Sequence, residues 1–150
     1  MRPIGAAYGI IGSFMVIERL LRQGKEAKSM VEGREDRGST RGIGDAFGAS
    51  LLALLVAPLL NRVKLGRLRN QSAAWSGIVA MLAGLSLRIW ASRILGSFYT
   101  RTLRTSKEQH IIVEGPYQLV RNPGYLGDIL LWFGAGIASA NWIVLVVIVL

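Results

Sequence analysis

The chain contains no cysteine and a single histidine, His110, in 150 residues. Disulfides, thiolate zinc sites and histidine metal clusters are thereby excluded. Acidic residues are scarce too: nine Asp and Glu stand against 18 Lys and Arg, a formal net charge of +9. Charge of either sign is missing altogether from 3–17, 46–61, 70–87 and 129–150. These gaps define the class better than the 51% hydrophobic content does, because ~45–50% apolar residues are ordinary in a soluble domain. Apolar runs separated by basic stretches describe one small polytopic membrane domain, all-α, covering residues 1–150.

What is present fills in the architecture. A first span is expected over about 3–22, close to the ~20 residues that cross a bilayer. It meets Glu18-Arg19 with no small-residue cleavage pattern, so it reads as a retained span and not as a signal peptide. Gly5 and Gly9 stand four apart, which fits either a close helix approach or glycine tolerated in a membrane helix. Residues 23–44, polar and glycine-rich, read as a loop. The second span is expected over about 45–61, with Pro58 kinking or ending it. A basic connector, "RVKLGRLRN", leads to a third span over about 72–95, where Arg88 and Arg93 are placed to snorkel toward headgroups. A fourth span runs from about Tyr125 to Ala138. "SANW", 139–142, forms a tight turn, and a fifth span begins at Trp142.

From Trp142 to Leu150 only nine residues remain, about 13 Å of helix against a ~30 Å hydrocarbon core. The expectation is therefore four complete spans and the start of a fifth, in a chain truncated at its C-terminus and inactive alone. Thirteen of the 18 basic residues flank loop 23–44 or segment 88–124, and five lie on the other side. The positive-inside rule then puts 88–124 in the cytoplasm, and the same rule explains the net charge. Nucleic-acid binding is not expected, since no aromatic-interleaved basic patch accompanies that charge.

The segment "GPYQLVRNPGYLG", 115–127, is too irregular to be a mere helix entry. Pro116 and Pro123 restrict the residues before them to extended geometry and keep the loop out of helix. Irregular backbone at membrane depth is tolerated where it lines a cavity, so the segment reads as a ligand-binding loop capping the fourth span. Asp128, early in that span, is placed either for function or for the helix dipole.

The ordered motifs are Arg88, Leu95-Gly96, Phe98 to Thr100, Ile111-Ile112, Gly115-Pro116-Tyr117, Val120-Arg121-Asn122-Pro123 and Tyr125-x-Gly127. With them, segment 88–142 resembles the isoprenylcysteine carboxyl methyltransferase family and its prokaryotic relatives. "DRGS", 36–39, is also similar to a loop of prokaryotic members. Asn122 departs from the pattern, standing where the family has histidine. It can exchange hydrogen bonds but cannot shuttle a proton near neutral pH.

The resemblance implies an integral membrane methyltransferase using S-adenosyl-L-methionine, transferring methyl to a carboxylate or other group of a lipophilic small-molecule acceptor, with membrane lipid as a further partner. The implied cofactor-binding residues are Ile111, Ile112, Val113, Gly115, Tyr117, Arg121, Asn122, Pro123 and Tyr125, with 111–113 along the adenine. Arg121 suits the cofactor carboxylate, or else a lipid phosphate. Tyr117 and Tyr125 suit the sulfonium region, or else an interfacial aromatic belt. No catalytic residue and no metal ligand is assigned. "GIG", 42–44, is no dinucleotide fingerprint, because no strand precedes it. The implied location is a prokaryotic inner membrane, with the loop facing the cytoplasm. Two other readings stay open: a nicotinamide-dependent membrane reductase of the sterol reductase type, and a small non-enzymatic membrane subunit.

Overall fold

The computed structural model describes residues 3–21, 39–95 and 114–150. Five α-helices account for most of them: α1 (Pro3–Leu21), α2 (Ser39–Arg62), α3 (Gln71–Leu95), α4 (Pro123–Ala138) and α5 (Trp142–Val149). A 3-10 turn, Gly115–Gln118, precedes α4. Among the described residues there is no strand, only an isolated bridge between Arg67 and Asn141. The all-α expectation therefore holds. Of the expected four spans, two helices are long and apolar enough to cross a membrane, Gly44–Arg62 and Gln71–Leu95. Helix α4 stops after 16 residues, about 24 Å at 1.5 Å per residue, because the Ser139–Asn141 turn interrupts it.

Helices α3 and α4 are the centre of the fold, and glycine lets them touch. Gly77 and Gly84 on α3 face Gly134 and Gly127 on α4. A Cβ at Gly77 would lie 2.5 Å from the Gly134 carbonyl oxygen, and one at Gly134 would lie 2.6 Å from that of Gly77. Backbone therefore meets backbone at two points seven residues apart on each helix. Spacing of seven returns nearly to one helix face, which makes the contact a seam. Gly5 and Gly9, in contrast, have nothing within 4 Å among the described residues. Of their two readings, tolerated glycine is the one realised among those residues.

Helix α1 packs on α3 and α4, and α2 packs on α5. The buried core joins all five, through Ala7, Ile11, Leu54, Met81, Ala135 and Val144 among others. Outward faces are as apolar as the inside: Val16, Leu52, Leu55, Leu59, Val79 and Ile129 are each more than half exposed. A surface so apolar on several helices is foreign to a soluble monomer and ordinary in lipid.

Two details differ from the sequence reading. Helix α2 begins at Ser39, six residues before the expected start, so "STRGIG" winds into helix despite its glycines. Pro58 does not end α2, which continues to Arg62. Proline cannot donate to the carbonyl four residues back, here that of Leu54. The hydroxyl of Tyr8 on α1 donates to that oxygen instead, at 2.6 Å. A neighbouring helix thus supplies the hydrogen bond that proline removes.

The expected 139–142 turn is present, and it is locked to the α2–α3 connector. Asn141, fully buried, donates to Asn61 Oδ1 at 2.9 Å and to the Leu65 carbonyl at 2.8 Å. Its own Oδ1 accepts from the Ile143 and Val144 amides, capping α5. Asn61 donates to the Ser139 carbonyl at 2.8 Å. Backbone bonds from Leu68 to Ala140 and from Trp142 to Gly66 complete the lock. Gly66 is needed there: its φ is +71°, and a Cβ would come within 2.7 Å of Asn141 and Ile143.

Candidate functional site

The 115–122 loop closes the opposite end of the α3/α4 pair. Gly115 has φ +55°, and a Cβ on it would strike Ile94 and crowd the Trp90 ring. Only glycine brings the loop this close to the last turns of α3. Pro116 is buried behind it, and its carbonyl accepts from the amides of Leu119 and Val120. Tyr117 is half-buried, with its hydroxyl 3.5 Å from the Ala91 carbonyl. Burial lifts the Tyr117 phenol above its ordinary pKa, and the nearby Arg88 charge opposes that shift. The phenol is neutral at physiological pH and serves as a hydrogen-bonding and ring surface.

Pro123 then opens α4 at a position where its missing N–H costs nothing. Asn122 occupies the N-cap position, a favoured place for asparagine, yet its side chain makes no capping bond. Arg121, Asn122 and Tyr125 are all exposed. The implied cofactor residues thus divide in two. Gly115, Tyr117 and Pro123 fix the loop against the helices, while Arg121, Asn122 and Tyr125 present polar groups outward. Ile111, Ile112 and Val113 lie outside the described residues, as do His110, Gly96 and residues 98–100.

The largest departure from the sequence reading is Arg88. It does not snorkel. Its guanidinium turns inward, with the side chain 12% exposed. Nε and Nη2 donate to the two oxygens of Glu18 at 3.0 and 2.9 Å, a two-pronged pair. Nη1 donates to the Asp128 carboxylate and to the Gly124 carbonyl at 3.1 Å. The Phe14 ring lies 5.5 Å from the guanidinium carbon, within cation–π range. One arginine thereby ties α1, α3 and the first two turns of α4 together, with Asp128 in the second turn.

Position explains the inward turn. Arg88 sits one helical turn beyond Gly84, where the glycine seam brings α4 against α3. An added Cβ at Gly127 would be 3.1 Å from Arg88 Cβ. The side chain leaves α3 already inside the bundle, within hydrogen-bond reach of two carboxylates. Sequence reasoning missed Glu18 as a site residue and placed Asp128 between function and helix dipole. A usable signal existed: three otherwise apolar helices each carry an ionisable residue toward the same end.

These features define a helical membrane protein with a preorganised polar loop resting on a buried charge cluster. A phospholipid methyltransferase family model matches residues 72–150, the whole stretch from α3 onward. The chain belongs to that family, whose members include membrane methyltransferases like isoprenylcysteine carboxyl methyltransferase. Comparison with curated proteins gave no match, and comparison with solved structures gave none.

Proposed function

We propose that the protein is an S-adenosyl-L-methionine-dependent methyltransferase acting on a lipophilic acceptor that reaches it through the bilayer. One observation carries this reading: within the family-matched region, a proline-bounded loop docks on α3 and leaves Arg121, Asn122 and Tyr125 exposed. The donor set fits the cofactor. Arg121 supplies a cation for its carboxylate, Asn122 supplies an uncommitted amide, and Tyr125 supplies a ring face for the cationic region.

When bound there, the cofactor would supply an electrophilic methyl group on sulfur. The chain's own contribution is placement. Methyl transfer by in-line displacement needs alignment and exclusion of water more than acid–base groups. Asn122 accords with this, because a site without an imidazole at that position still aligns and binds. Lateral entry of an apolar acceptor between helices, with the polar cofactor arriving from solution, separates the two substrates by chemistry.

The proposed setting is a prokaryotic inner membrane with the loop in the cytoplasm. Cysteines introduced at Gln118 and at Gln71, at opposite ends of the α3/α4 pair, should label from the cytoplasmic and opposite sides respectively. The functional test is equilibrium binding of radiolabelled S-adenosylmethionine to the purified protein in lipid nanodiscs, with S-adenosylhomocysteine as competitor. Saturable, competed binding supports the reading. Binding of a nicotinamide cofactor instead would move the protein to the reductase class.

A further inference from the structure

The connector between α2 and α3 has no part in that site, and its chemistry is of a different kind. Arg62, Lys64, Arg67 and Arg69 fall within eight residues and are all exposed. Among the described residues none of the four makes an ion pair or a side-chain hydrogen bond. The described acidic residues, Glu18, Asp45, Glu114 and Asp128, all belong to the other end of the bundle. Leu65 and Leu68 alternate with the cations and are 55% and 43% exposed.

This segment is not a loose loop. Asn141 holds the Leu65 carbonyl, Gly66 and Leu68 bond to the α4–α5 turn, and Lys64 is held at φ +61°. Backbone fixed in this way presents its four cations as a set, with less ordering left to do on binding. Trp75 and Trp142, exposed at this same end, mark the level where aromatic side chains meet headgroups. Cations, tryptophans and exposed leucines at one level match a layer of phosphates above acyl chains.

We infer that the 62–71 connector is a docking surface for the headgroups of anionic phospholipids. Arginine and lysine meet the phosphates, and Leu65 and Leu68 enter the boundary beneath them. A juxtamembrane basic cluster attracts anionic lipid by its charge. Here the fixed backbone adds a defined geometry to that attraction. This inference does not depend on the identity of the cofactor at the opposite end.

The full chain has no native cysteine, so a donor dye at Gln71→Cys reports on this surface alone. The protein is placed in phosphatidylcholine vesicles with traces of acceptor-labelled phosphatidylglycerol or acceptor-labelled phosphatidylcholine. Energy transfer should be several-fold greater to the anionic lipid. It should fall to parity when all four cations are changed to Gln, and persist when Arg62, Arg67 and Arg69 are changed to Lys. If the fourfold variant does not fold, the pairs Arg62→Gln/Lys64→Gln and Arg67→Gln/Arg69→Gln should each lose a large part of the excess. Parity in the unmodified protein, or an excess that survives removal of the charges, overturns the inference. Loss of the excess to inorganic phosphate but not to sulfate at matched ionic strength also overturns it, by making a soluble anion the occupant.

Discussion

Gly84 and Gly127 meet with no side chain between them: a Cβ on Gly84 would lie 2.5 Å from the Gly127 carbonyl oxygen, and the converse distance is 2.8 Å. This contact brings Arg88 over the start of α4 and so sets the height at which the loop rests. Gly84→Val should therefore lower stability by about 1–3 kcal/mol, the usual cost of overpacking a close contact. Gly5→Ala, in open space, should be neutral or slightly stabilising through helix propensity. Thermal unfolding in one detergent compares the two. Equal stability of Gly84→Val and the parent would mean that the helices do not pack backbone to backbone.

Arg88 gives a sharper test. Removing one partner of a buried ion pair strands the other, at a cost of about 3–5 kcal/mol. Arg88→Ala should pay that cost, because Glu18 is only 7% exposed. Arg88→Lys should recover part of it, since an ammonium keeps the charge but loses the fork. Glu18→Gln combined with Arg88→Gln should be less damaging than Arg88→Ala. A snorkelling arginine predicts three nearly identical melting curves, and that result would return Arg88 to the headgroups.

Much of this fold is written locally. The α3 boundaries and the turn before Trp142 follow from hydropathy and capping. The 115–122 loop stays out of α-helix, but not as proline geometry alone predicts: Gly115 is left-handed at φ +55° and not extended, and Gly115–Gln118 winds into a 3-10 turn. The Arg88 cluster does not. Its partners lie 70 and 40 residues away, and a cation near a helix end looks the same whether it faces lipid or bundle. The glycine seam was equally hidden: Gly5 and Gly9 have the more familiar spacing, but contact depends on which face finds a partner. Asn122 is legible as a departure from a family pattern, whereas its failure to cap α4 shows only in the fold.

The bond from Tyr8 to Leu54 makes a prediction with its own internal control. Tyr8→Phe leaves the Leu54 carbonyl without its donor and should cost about 1–3 kcal/mol. Pro58→Ala restores an N–H four residues after Leu54, so α2 can satisfy that carbonyl itself. In the Pro58→Ala background, Tyr8→Phe should cost much less. A double-mutant cycle on unfolding free energies measures the coupling. Strictly additive costs would show that Tyr8 acts through packing and not through the freed carbonyl.

Arg121 discriminates between the proposed cofactor site and a plain lipid interface. It is exposed, stands beside the uncapped Asn122, and lies between the docked turn and the start of α4. If it pairs with the cofactor carboxylate, Arg121→Ala should weaken S-adenosylmethionine binding by about 2 kcal/mol, the range of a charge-assisted hydrogen bond. That loss corresponds to roughly thirtyfold in Kd. Arg121→Lys should restore only part of the affinity, because a point charge cannot reproduce two-pronged recognition. Neither variant should shift the melting temperature of the cofactor-free protein, since an exposed arginine without a described partner carries little of the fold. An interfacial arginine that binds lipid phosphate behaves differently: both variants keep full cofactor affinity while their lipid dependence changes. Calorimetric titration of the three proteins in nanodiscs of one lipid composition separates these outcomes. Unchanged affinity in Arg121→Ala would remove Arg121 from the site and leave Asn122, Tyr125 and the loop backbone to hold the ligand.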